Sequence, residues 1–256
     1  MVLGLKDKIE AIIEDKTNYA KSMPKRYKDR VKDLNNRKNT ARYTEQGFKE
    51  IVQKRLDEVK TQYDEYKVSC RQKVQAVIGK AKQDVEKNLN ATVANTTDYD
   101  VRFNTAMMTL INMNLQNIDD DTSYMILGDF VEDNAKMRIC RMMIENQGNM
   151  LVRSDGTPAF EKTFGHLIAY ESVINQLNAL EKESEKMFVD TATAFEADTN
   201  IIMVGGDEQW HDGSMVGGYK FRVPRALDVM NSQDAFIFGK AKEIDAFVKA
   251  MEGGDE

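Results

Sequence analysis

The sequence predicts a mainly α-helical protein: an extended N-terminal arm with one very long helix, followed by a helical body carrying a small β-hairpin element. Three observations predict this. The chain has only 3 prolines in 256 residues, and 133 consecutive residues between Pro24 and Pro158 lack this strongest helix breaker. Apolar residues recur at steps of three and four over more than 40 positions. Charged residues make up 30% and hydrophobic residues 41%, a balance that suits exposed helix better than a thick globular core.

The arm opens with Leu5, Ile9, Ile12 and Ile13, an amphipathic helix expected to end near Pro24, because the residue before a proline is pushed out of helical geometry. The chain then turns basic. Lys21, Lys25, Arg26, Lys28, Arg30, Lys32, Arg37, Lys38 and Arg42 stand against Asp29 and Asp33 alone, a net of +7 in 22 residues. Tyr27, Asn35, Asn36, Asn39, Thr40 and Tyr43 interleave these cations with groups able to contact phosphate or base. The nine cations are the candidate site for a polyanion or an acidic protein partner. The competing reading is a solvated helix face.

The clearest periodicity runs through Phe48, Val52, Leu56, Val59, Tyr63, Tyr66, Cys70, Val74, Val77, Ala81, Val85 and Leu89. Eleven steps cover 41 residues, or 3.73 per turn, nearer the 11-residue repeat of a straight or slightly right-handed helix than the heptad of a left-handed coiled coil. The stripe is one residue wide and includes Ala, Cys and Tyr. Such a helix needs a partner, from its own chain or from another subunit. Phe48, Val52, Leu56, Val59, Tyr63, Tyr66, Val74 and Val77 are therefore the candidate helix-packing interface.

From Asn88 to Asp100 charge gives way to Asn and Thr, which compete with helical hydrogen bonding, and a boundary is placed there. Residues 1–97 form a basic arm with 22 Lys+Arg against 14 Asp+Glu, and residues 98–256 an acidic body with 14 against 28. The whole-chain net of −6 thus joins a +8 arm to a −14 body. Within the body, Phe103, Met107, Leu110, Ile111 and Ile118 suggest one helix. Thr122 or Ser123 is expected to cap a second, through Met125, Phe130, Met137, Ile139, Met142 and Met143 to about Gly148. Eight of the 15 methionines fall between Met107 and Met150, read as an adaptable core. Met150 to Arg153, turning at Asp155 and Gly156, reads as a hairpin, and Phe164 to Phe188 as a third long helix. Ile201 to Val204 and Tyr219 to Val223 resemble strands around a glycine-rich connection. Helix resumes from Arg225, with Phe236, Phe238, Ile244, Phe247, Val248 and Met251 on its apolar face.

Signs of catalysis are few. His211 lies with Asp207, Glu208 and Asp212 in one loop, but the only other histidine, His166, is 45 residues earlier, so a solvated turn around Trp210 is preferred to a metal site. Asp119, Asp120 and Asp121 lack the Gly and Glu of a calcium loop and are expected to precede a helix N-terminus. Phosphate-binding, nucleophile-elbow and dinucleotide fingerprints do not occur. No metal, cofactor or catalytic residue is expected. Cys70 and Cys140, 70 positions apart without a CxxC pair, read as buried hydrophobes of a reducing compartment. With no signal-like N-terminus and no apolar run of 18 residues, a soluble cytoplasmic protein without membrane contact is expected.

The function expected is non-enzymatic assembly, as a homo-oligomer or with other subunits of an intracellular particle. A helical arm on a Met- and Asn-rich body suits a tailed-phage virion or scaffolding component. The alternative is a nucleic-acid-binding accessory protein that uses the arm.

Overall fold

The computed structural model describes residues 3–35, 44–91, 97–113, 118–146, 159–188, 201–203, 213–216, 219–222 and 232–252. It is mainly helical. Helix α1, Leu5–Val31, starts after Gly4, whose φ of 57° lies in the left-handed region that glycine occupies without strain. It does not end at Pro24. Proline inside a helix costs about 3 kcal/mol, but Ala20, Met23, Tyr27 and Val31 are buried on one face across that position. Full burial contributes roughly 1.5–3 kcal/mol per large apolar side chain, so two such residues offset the proline. A 3₁₀ turn, Lys32–Asn35, follows and buries Leu34.

Helix α2, Glu45–Leu89, has 45 residues and is about 68 Å long at the standard rise. Thr44 caps it, its hydroxyl accepting the Gly47 N–H at 3.1 Å. Its buried positions obey a strict 11-residue repeat. Phe48, Val59, Cys70 and Ala81 form one set, Val52, Tyr63, Val74 and Val85 the second, and Leu56, Lys67, Ile78 and Leu89 the third. Two expected positions shift by one residue. Tyr66 and Val77 are only partly buried, while Lys67 and Ile78 are 6% and 0% exposed. The 4-4-3 step pattern selects 67 and 78, because keeping the phase of a long straight helix matters more than the polarity of a single side chain.

The chain forms two compact units, one comprising Gly4–Val77 and Leu180–Lys242, the other Met1–Leu3, Ile78–Ala179 and Glu243–Glu256. The division at residue 97 is one of charge, whereas these units are divisions of packing. In the first unit α1 and α2 run antiparallel. Ala20, Met23, Tyr27, Val31 and Leu34 meet Phe48, Val52, Leu56, Val59 and Tyr63 in one cluster. The partner that the α2 stripe requires is, over this stretch, a helix of the same chain.

The second unit contains α3 (Thr97–Asn112), α4 (Asp120–Leu127) and α5 (Asn134–Asn146). The single helix expected from Thr122 to Gly148 is broken by a 3₁₀ turn, Gly128–Phe130. Fully buried Asp133 restarts it by accepting the Lys136 N–H at 3.0 Å, and Phe130 packs edge-on against Tyr99 and Phe103. Asp119, rather than Thr122 or Ser123, caps α4, accepting the Thr122 N–H at 2.8 Å.

The methionines do not fill the core of this unit. Met137 is buried, but Met108, Met113, Met125 and Met142 are exposed, Met125 to 83%, and Met150 lies outside the described residues. Phe103, Ala106 and Leu110 of α3 and Met137, Cys140 and Ile144 of α5 hold the interior instead. A run rich in methionine all round the helix left its phase to be set by these neighbours.

Helix α6, Glu161–Ser184, and helix α7, Ser232–Glu252, each contribute residues to both units. On α7 the buried side chains are Asp234, Ile237, Ala241, Ile244 and Val248, so Phe236 and Phe247 face outward, contrary to expectation. Between α6 and α7, β1 (Ile201–Met203), β2 (Gly213–Val216) and β3 (Tyr219–Arg222) pair antiparallel in the order β1-β3-β2. The register sets Ile201 opposite Phe221 and Val216 opposite Tyr219. The hairpin expected at Met150 to Gly156 lies outside the described residues. Among the described residues no helix is long and apolar enough to cross a membrane.

Candidate interaction surface of the basic arm

Helix geometry divides the basic segment into two groups. Lys21, Lys25, Lys28 and Lys32 follow one another at steps of 4, 3 and 4 and share one helix face, all exposed. That face lies opposite the buried line of Met23, Tyr27 and Val31. None of the four is paired with a carboxylate among the described residues. Asp29, also exposed, flanks this face.

Arg26 and Arg30 lie off this stripe on the same helix. Arg26 donates to the Ser22 hydroxyl at 2.9 Å and lies 4.2 Å over the Tyr19 ring. Tyr19 in turn stacks on Tyr66 at 4.0 Å and Tyr63 at 5.9 Å. The Arg30 carbonyl accepts a hydrogen bond from Arg55. Arg37, Lys38 and Arg42 lie outside the described residues.

Repulsion within the lysine stripe is tolerable. Like charges one turn apart cost a few tenths of a kcal/mol per pair on an exposed helix, far less than the burial of the opposite face provides. Lys28 also sits in the last turn of α1, where a cation favours the helix dipole. The stripe is thus tolerated with its four lysines exposed.

The expected packing positions Phe48, Val52, Leu56, Val59 and Tyr63 are brought together against α1. Val74 is fully buried further along, and Val77 is displaced from the buried line by Ile78. Tyr66 has a different task. Its hydroxyl donates to the Asp15 carboxylate at 2.6 Å, and Lys73 approaches the same carboxylate at 3.8 Å. Burial, then the hydrogen bond to Asp15, pushes the Tyr66 phenol well above its ordinary range. Tyr66 therefore stays protonated and stitches α2 to α1.

The aspartates at the start of α4 serve two helices. Besides the Asp119 cap, Asp120 accepts the N–H groups of Lys162 and Thr163 at 2.9 and 3.1 Å and the Thr163 hydroxyl at 2.8 Å, capping the start of α6. Asp121 pairs with the Lys162 ammonium. The loop from Asp207 to Asp212 lies outside the described residues, and His166 stands edge-on to Tyr170 at 4.9 Å.

Sequence reasoning missed the buried polar residues. Lys16 and Asp234 face each other at 3.5 Å with side chains 3% and 0% exposed. Lys67 pairs with Asp64 at 2.6 Å and lies over the Tyr63 ring at 5.1 Å. Lys16 was findable, because it continues the α1 stripe between Ile13 and Ala20 at steps of 3 and 4. Compared with known proteins, the chain matches no family model, no curated protein and no solved structure.

Proposed function

We propose that this chain is a non-enzymatic assembly protein whose N-terminal arm docks, through its lysine face, onto an acidic protein surface in a multi-subunit intracellular particle. The observation that carries this reading is the exposed line Lys21, Lys25, Lys28 and Lys32, unpaired with any carboxylate among the described residues. A second copy offers a matching surface, since residues 98–256 carry 28 acidic against 14 basic residues. In this reading the protein is a cytoplasmic homo-oligomer or a subunit among others, with a small β element on its acidic body. A tailed-phage virion or scaffold is the kind of particle such an arm and body would serve.

The test is the mass in solution of nucleic-acid-free protein from roughly 10 mM to 1 M salt, over which the screening length falls about tenfold. Assembly at low salt that dissolves as salt rises, and that is lost when the four lysines become glutamine, supports docking. A monomer at every salt, combined with duplex DNA binding that the same four changes abolish, would replace assembly by the nucleic-acid reading.

A further inference from the structure

We infer that the outward faces of α3 and α5 form a second, apolar-centred contact surface for another copy of this chain. The two helices run parallel and adjacent. Tyr99 meets Asp133 at 3.5 Å, and about two turns on, Met107 Sδ lies 3.2 Å from Cys140 Sγ. One turn beyond that sulfur contact, Ile111 on α3 and Met143 on α5 follow along the same seam. Met108 and Ile111 on one side of the seam and Ile139 and Met142 on the other are 57%, 48%, 51% and 60% exposed.

On the α3 side the absence of charge separates this surface from the rest of the exterior, whereas α5 carries Lys136, Arg138, Arg141 and Glu145 around its exposed apolar residues. Between Arg102 and Asp119 there is no charged residue, and α3 occupies most of that stretch, in a chain with 30% charged residues. The outward faces of α1 and α2, by contrast, are lined with Lys, Arg, Asp and Glu. Depletion of charge with enrichment in methionine is the composition of an interface centre, and methionine adapts its shape to what it meets.

Charge at the edges selects a second copy as the occupant. The outer edge of α3 carries exposed Asp98 and Arg102, and the outer edge of α5 carries exposed Arg138 and Glu145. A uniformly acidic or basic partner would meet a like charge on each edge. A copy turned by a two-fold axis brings edges of mixed sign to edges of mixed sign around an apolar centre, the self-complementary arrangement of a closed dimer.

The experiment separates this contact from the arm's electrostatic docking. At about 0.5 M salt exposed charge pairs are screened, whereas apolar association is not weakened. Light scattering at roughly 50 μM protein should then give a dimer for the parent chain and for the lysine-to-glutamine arm variant. Met108→Lys with Ile139→Lys should give a monomer with unchanged helical circular dichroism, and so should Asn104→Lys with Met142→Lys, which loads the same surface at other exposed positions. A parent that is monomeric at this salt, or folded variants that remain dimeric, would overturn the inference. Neither result touches the low-salt behaviour of the arm.

Discussion

Lys16 of α1 meets Asp234 of α7 at 3.5 Å, with both side chains almost wholly out of water. Asp234 also accepts the Phe188 N–H at 3.3 Å, and the Lys16 ammonium lies 5.3 Å from the centre of the Phe188 ring. Phe188 has a left-handed φ of 61°, a conformation a bulky residue holds only where its surroundings impose it. Removing one buried charge leaves the other uncompensated at a cost of about 3–5 kcal/mol, while replacing both with apolar groups is far milder. Lys16→Met and Asp234→Leu should each lower the urea midpoint strongly, and the double variant should regain much of the loss. Additive losses would show that the two residues are not coupled.

The shift of the α2 stripe makes adjacent residues unequal. Ile78→Ala removes a fully buried side chain and should cost about 3 kcal/mol. Val77→Ala, at a partly buried neighbour, should cost under about 1 kcal/mol. Chemical denaturation of the pair decides which residue lies on the packed face, and equal losses would refute the 11-residue phase.

Acid should weaken the cap of α4. Hydrogen bonds from Thr122 hold the Asp119 carboxyl below its ordinary range, so its folded pKa is depressed. Its contribution is complete above the unfolded value of about 4 and is lost as pH falls through the folded one. Glu183, lowered by its hydrogen bond from Lys186, acts with the same sign. Asp119→Asn keeps a capping oxygen without a titrating group. Between about pH 5 and pH 2, the parent should lose more Tm than this variant, and parallel curves would remove Asp119 from the acid response.

The thiols should be silent in the folded chain. Burial pushes the Cys140 thiol up to about 12 and raises that of Cys70, and both residues are buried. Since the thiolate is the reactive species, Cys140 should react with a disulfide reagent at neutral pH at least about a thousandfold more slowly than a free thiol. Both should react promptly in denaturant. Fast labelling of native protein at Cys140 would mean that the α3–α5 seam opens.

Helix content, the length of α2 and its long repeat were determined by the sequence, because apolar spacing over 41 residues averages out local ambiguity. Which cations share a face of α1 follows from the rotation per residue only once the helix is known to continue past Pro24. Only the tertiary structure decided where neighbouring candidates competed. Lys67 over Tyr66 and Ile78 over Val77 follow from the phase that a whole 45-residue helix keeps against its partners. Passage through Pro24 likewise depended on Tyr27 and Met23 finding an apolar surface on α2. The exposed methionines of α3 and α5 carried no usable phase, because their stretch is apolar on several sides and burial was assigned by Phe130, Ile144 and Cys140 packing nearby. Long-range polar contacts stayed hidden for a further reason. Asp120 caps a helix that begins 41 residues later, and Lys16 meets Asp234 across 218 positions; such pairings exist only once the fold has brought distant segments of the chain together.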